Sequence, residues 1–204
     1  MTKPIVAVDI DDVLSKSAEG FATYSNKLWN AGITADDYTE KWAEAWNIPE
    51  SEAMQRADVY HKTDVAHHFK PIDNALQVLH RLSPHYHFVA VTSRRSQWRE
   101  VTEQWLDKHF TNVFAEMHFV GMWDADMPLV DKVKATKTVT CQQIGARYLI
   151  DDQLKHCSSA AEAGIPAVLF GAYKWNAHDV LPKGVERVHN WLQIEEYFSA
   201  RRRI

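Results

Sequence analysis

Ten residues near the amino terminus constrain the rest of the chain: Ile5-Val6-Ala7-Val8-Asp9-Ile10-Asp11-Asp12-Val13-Leu14. An unbroken run of small and β-branched apolar residues predicts a strand buried on both faces. Asp9, Asp11 and Asp12 then place three carboxylates within four positions, at the carboxyl end of that strand. In an open parallel sheet, that edge is where ligands bind. Like charges so close do not all stay ionised cheaply without a cation, so a divalent metal is their natural companion. A plainer role is also open to each acid, because Asp caps helices and tolerates turn geometry.

After this strand the pattern changes. Phe21, Tyr24, Leu28 and Trp29 follow helical spacing towards Gly32, and Thr34 with Asp37 has the form of a capping box. Tyr38, Trp42 and Trp46 then recur every four residues, and Ser51, Met54 and Val59 suggest a further helix reaching about Lys62. Residues 15–70 therefore read as a small all-helical cap inserted into an α/β core made of residues 1–14 and 71–204. Aromatics at this spacing serve as the core of a small bundle, and they are also of the type that stacks on a ring of a ligand.

Beyond Lys70-Pro71 the chain alternates. Strands are expected over 86–91, 116–121, 147–150 and 165–170, with helices over 75–82, about 98–110, through about Ile144, over 154–163 and over 191–199 behind an Asn190 cap. Alternation of this kind predicts a doubly wound parallel sheet. The strand ends carry polar residues: Thr92-Ser93-Arg94 after the second and Asp151-Asp152 after the fourth. Lys132, Lys134 and Lys137 precede the helix before the fourth strand.

Composition removes several classes. The 204-residue chain carries a net charge of −4 and no basic surface run apart from Arg201-Arg202-Arg203, so no nucleic-acid polymer or membrane partner is expected. Nothing approaches ~18 consecutive apolar residues, and the start of the chain lacks a signal-peptide pattern. Cys141 and Cys157 both fall on expected helices and read as buried reduced thiols, which suits the cytoplasm. The eleven histidines, His67-His68 included, form no ligand spacing, and no phosphate-binding or dinucleotide glycine motif occurs.

The ordered set Asp9-x-Asp11-x-Val13, Thr92, a lysine and Asp151-Asp152 resembles the haloacid dehalogenase superfamily of phosphohydrolases. The insertion directly after the first motif, Ile150-Asp151-Asp152 and Tyr173-Lys174-Trp175-Asn176 look most like its 5'(3')-deoxyribonucleotidase branch, although Asp12 stands where that branch usually has Gly. The resemblance implies a Mg2+-dependent phosphomonoesterase for a small phosphorylated substrate such as a (deoxy)nucleoside monophosphate. It implies Asp9 as the nucleophile and Asp11 as the acid and base, with neighbouring carboxylates available to raise the Asp11 pKa. Thr92, Ser93 and Lys137 would bind phosphate, with Lys132 and Lys134 as rivals, and Asp9, Asp11, Asp151 and Asp152 would hold the metal, Asp152 being favoured as the direct ligand. A non-hydrolytic ligand-binding or regulatory relative, and a phosphatase for a non-nucleotide substrate, are the alternatives. A phosphorylated receiver module fits less well, because its acidic pair ends the first strand and its phosphorylated Asp the third, whereas here the acids end strands one and four.

Overall fold

The apolar run becomes the centre of a parallel sheet. The structure, a computed structural model, describes residues 2–120, 136–177 and 180–201. β1 (Ile5–Val8) pairs with β2 (His87–Thr92) on one side and β4 (Ala146–Asp151) on the other. With β3 (Met117–Phe119), β5 (Ala167–Phe170) and β6 (Val185–Val188), the order is β3-β2-β1-β4-β5-β6, every pair parallel. Val8 lies level with Ala90 and with Ile150, so three central strands finish at one edge. The strand order reverses beside β1, which puts the acids of the first motif at the topological switch point.

Between β1 and β2 the chain is helical: α1 (Ser17–Trp29), α2 (Trp42–Trp46) and α3 (Glu50–His61), with short 3-10 turns at Ala35–Asp37 and Val65–His68. Phe21 is 2% exposed, and the rings of Tyr38, Trp42, Trp46 and Tyr60 surround it at centroid distances of 4.9–5.7 Å. The buried Trp46 indole donates to Ser25 Oγ at 2.9 Å, so its polar edge is satisfied.

The rest of the chain alternates as expected: α4 (Ala75–Leu82), α5 (Arg99–His109), α6 (Lys137–Gln143), α7 (Leu154–Glu162) and α8 (Trp191–Arg201). The pleat divides their packing. Val6, Val8, Phe88, Ala90, Ile150 and Phe170 form one core with Val78, Leu79, Trp105, Trp191 and Phe198 from α4, α5 and α8. Ala7, Val89, Val91, Leu149 and Leu169 form the opposite core with Cys141, Cys157 and Ala160 from α6 and α7.

Three elements differ from expectation. β6 was not signalled: its four residues, Val185-Glu186-Arg187-Val188, offer only two apolar side chains, at its ends. The Thr34/Asp37 box forms, with Asp37 Oδ2 accepting from the Thr34 N–H at 2.9 Å, but it closes only a 3-10 turn. Tyr38 then leaves in extended conformation, so the helix expected through Tyr38, Trp42 and Trp46 contracts to five residues. The third strand shrinks to three residues. Lys132, Lys134 and the segment around Trp123, Asp124 and Asp126 lie outside the described residues.

Candidate active site

The turn after β1 builds the floor. Asp9 N–H donates to Ile150 O at 2.9 Å, and the Leu14 and Ser15 N–H groups both close on Ile10 O at 2.9 Å. Asp12 adopts φ 55°, a left-handed conformation open to Asp and easier for Gly. Its carboxylate turns to the start of α1, accepting from Ala18 N at 3.1 Å and Ser17 Oγ at 2.8 Å. The departure from the family pattern thus takes the plainer role, helix capping. Burial pushes the Asp12 carboxyl up to about 7, opposed by the Ala18 N–H.

Lys137, the first residue of α6, spans two strands. Its side chain is 2% exposed, with Nζ 2.8 Å from Asp9 Oδ1 and 2.7 Å from Asp151 Oδ2. Burial works against its charge, but the Asp151 and Asp9 carboxylates outweigh that and hold the pKa above its ordinary value. Burial raises Asp9 to about 7 against the pull of Lys137, and Asp151 and Asp11 push in the same direction as burial. Burial, then Asp151 and Asp9, raise Asp152 well above the carboxylate range.

One oxygen from each of Asp9, Asp151 and Asp152 lies within 4.8 Å of the others. Asp151 is already committed, with Oδ2 on Lys137 and Oδ1 accepting the Gln153 N–H at 2.9 Å. Asp152 Oδ2 accepts from Gln153 Nε2 at 2.9 Å and Trp175 Nε1 at 2.7 Å, while Oδ1 has no donor among the described residues. Crowded carboxylates, with Asp9 and Asp152 raised, and an all-oxygen donor set fit a hard divalent cation such as Mg2+.

The Asp11 carboxylate is not in that cluster. Arg94 takes it, with Nε 3.0 Å from Oδ2 and Nη2 2.7 Å from Oδ1. The same guanidinium donates to Thr102 Oγ1 at 3.1 Å and lies over the rings of Phe69 and Trp98. The expectation that neighbouring carboxylates raise the Asp11 pKa is corrected here: burial does raise it, but Arg94 outweighs burial and the net shift is downward. Arg94 itself is buried. Its signal in the sequence was its place directly after the strand-end hydroxyls. Of those hydroxyls, Thr92 Oγ1 accepts the Arg94 N–H at 3.1 Å, while Ser93 Oγ is buried without a partner and lines the cavity.

Above this floor lies a cavity of about 560 Å³. Asp9, Asp11, Ser93, Lys137 and Asp152 are at its base, and Phe21, Tyr38, Trp42, Tyr60, Phe69 and Trp98 are among its walls. His61 stacks on Trp42 at 5.1 Å and 6°, and its Nδ1 lies 2.7 Å from Ala57 O. The loop after β5 reaches the acidic floor. Tyr173 OH donates to Asp12 O at 2.7 Å, and Trp175 reaches Asp152.

A parallel sheet of this order, with an acid pair directly after β1, a hydroxyl at the end of β2, a lysine opening the helix before β4 and two acids where β4 ends, defines the class of haloacid dehalogenase-like phosphohydrolases. The hydrolase "haloacid dehalogenase-like family protein SP0104" from Streptococcus pneumoniae superimposes with a TM-score of 0.66 at 16% identity, covering 96% of this chain and 98% of that one. Residues 3–203 match the family model described as "5' nucleotidase, deoxy (Pyrimidine), cytosolic type C protein", and the chain belongs to that family. Bacillus subtilis (strain 168) has a relative named "Putative nucleotidase YqfW", 24% identical over 95% of this chain and 93% of its own length. An uncharacterized 32.4 kDa protein of Enterobacteria phage T4 is 26% identical over 95% of this chain and 69% of its own length. The enzyme is thus a phosphatase of the nucleotidase type.

Proposed function

We propose that the protein hydrolyses a (deoxy)nucleoside monophosphate or a similar small phosphate monoester, with Mg2+, through an aspartyl-phosphate on Asp9. The observation that carries this reading is Lys137 Nζ bridging Asp9 and Asp151 beneath an aromatic-walled cavity. In this reading the Asp9 carboxylate attacks phosphorus and the ester P–O bond breaks. Lys137 neutralises Asp9 and the arriving phosphoryl oxygens, and Ser93 Oγ supplies a free hydroxyl to them. Asp9 and Asp152 would hold the metal through their free oxygens, with Asp151 behind them. The ion, when bound, supplies the remaining positive charge against the phosphoryl group.

Asp11 enters ionised beside Arg94, so it is set to take a proton. A phosphate monoester with its second pKa near ~6 can bring that proton as the monoanion. Asp11 then passes it to the leaving oxygen and, as carboxylate again, draws one from the water that hydrolyses the acyl phosphate. Residues 15–70 serve as the cap that closes the cavity and reads the leaving group. Both cysteines are buried free thiols, which supports a reducing cytoplasmic setting.

The test is a panel of phosphate esters with Mg2+ or with EDTA, spanning deoxy- and ribonucleoside monophosphates, sugar phosphates and p-nitrophenyl phosphate. Metal-dependent preference for nucleotides is expected, with Asp9→Asn below about 10⁻³ of the wild-type rate, as loss of a covalent nucleophile requires. Preference for another ester would keep the mechanism and discard the nucleotide. Full activity of Asp9→Asn would discard the mechanism.

A further inference from the structure

The chemistry above leaves one close contact without a purpose: the Trp175 indole N–H, 2.7 Å from Asp152 Oδ2. We propose that Trp175 is a positioning residue that fixes the Asp152 carboxylate for the metal and ties that orientation to the helical segment through Tyr38. The inference rests on the reading of Asp152 as a metal ligand.

A carboxylate directly after a strand turns freely about two side-chain torsions unless something holds it. Here two N–H donors, from Gln153 and Trp175, land on the same oxygen. That fixes the plane of the group and leaves Oδ1 for a cation. Donors placed behind a ligand in this way set both its orientation and its basicity.

The indole itself is held on two sides by different parts of the chain. Its face lies on Tyr173 at 4.5 Å and 4°, and its edge contact is Tyr38, at 5.4 Å and 72°. The loop beneath is pinned to the core. Asn176 Nδ2 donates to Asp152 O and Phe170 O, each at 2.9 Å, and Arg187 of β6 donates to Asn176 O at 2.6 Å and to Gly171 O at 3.0 Å. Tyr38 is thus the aromatic support that comes from outside the core, and it also lines the cavity. A ligand that presses on Tyr38 presses, through one ring, on the donor that orients Asp152. Metal loading and occupation of the cavity are therefore coupled, by the same factor in both directions.

The experiment is calorimetric titration of Mg2+ into the metal-free full chain, with no substrate present, for wild type, Asp152→Asn, Trp175→Phe, Trp175→His and Tyr38→Leu. Trp175→Phe keeps the ring and removes the N–H; Mg2+ affinity is expected to fall by about 10–100-fold while the melting temperature in EDTA stays near that of wild type. Trp175→His restores an N–H and should recover part of the loss. Tyr38→Leu leaves Trp175 in place and should still weaken Mg2+ several-fold, which keeps the idea testable if the Trp175 variants fold poorly. Wild-type affinity in both Trp175→Phe and Tyr38→Leu would overturn the proposal alone. Absence of Mg2+ binding to the wild type would overturn the metal reading, and the proposal with it.

Discussion

Arg94 holds a full charge with its side chain 2% exposed, and it does so because Asp11, Ser15 and Thr102 take its donors while Phe69 and Trp98 cover its faces. Removing it strands a carboxylate. Asp11 keeps 34% of its side chain in solvent, so Arg94→Ala should cost about 2–3 kcal/mol in urea unfolding, below the ~3–5 kcal/mol of a fully buried broken pair. Arg94→Lys should recover little, since one ammonium does not replace a bidentate fork. In the Arg94→Ala background, Asp11→Asn should return part of the stability. His61 makes a second prediction at this scale. Burial, helped by Arg95, lowers its pKa to about 4, against the Ala57 carbonyl and Asp58. The unfolded chain, with an ordinary His near ~6.5, binds a proton that the folded one refuses. The His61 contribution is therefore complete above pH 6.5 and declines towards pH 4, by about 2 kcal/mol between pH 7 and pH 5. Asp9 and Asp12, both raised to about 7, act with the opposite sign, gaining stability on acidification. The test is accordingly a difference: His61→Phe, which retains a ring against Trp42, should lose less stability than wild type on going from pH 7 to pH 5. That Asp9, Lys137, Asp151 and Asp152 come together was legible because acids at strand ends, with a lysine before the fourth strand, have few other reasons to recur in that order. Burial of Arg94 was not legible, since an arginine after a strand reads as a surface residue until its carboxylate partner, far off in sequence, is placed beside it.

At the level of elements, the loop after β5 is the least forgiving. Gly171 sits at φ +84°, and a Cβ there would stand 2.3 Å from the Tyr173 ring. Gly171→Ala must give up either the turn or the Tyr173–Trp175 stack. A cost of about 1–3 kcal/mol is expected, seen as a lower midpoint in thermal unfolding, together with weaker Mg2+ binding in the titration above. Regular elements were legible wherever periodicity was long: α4, expected over 75–82, is found at Ala75–Leu82. Short ones were not. β6 has two apolar residues to signal it, and Tyr38 matches a helical spacing that the capping box of the preceding turn overrides. Missing Tyr38 as an irregular residue also hid a contact, because its exit from helix is what sets it against Trp175.

The whole molecule is a sheet with its chemistry at one edge and an aromatic-cored helical segment inserted at the point where that chemistry begins. Mg2+ binding only to the folded chain should stabilise it by about 2.7 kcal/mol at a hundred times its dissociation constant. For a chain of this length that is a rise in melting temperature of roughly 5–10 °C over EDTA, absent in Asp152→Asn. The floor of the cavity has a further consequence, for the order of events. Among the described residues, Asp9, Asp11, Asp12, Asp151 and Asp152 outnumber the buried cations beside them, Lys137 and Arg94, and both of these are already paired with carboxylates. An anion arriving first finds both of these cations already taken, so the queue forms with the metal ahead of the phosphate. In EDTA, inorganic phosphate should leave the melting temperature where it was; after Mg2+, the same phosphate should raise it, and turnover should follow a compulsory sequence in which the metal enters before the ester.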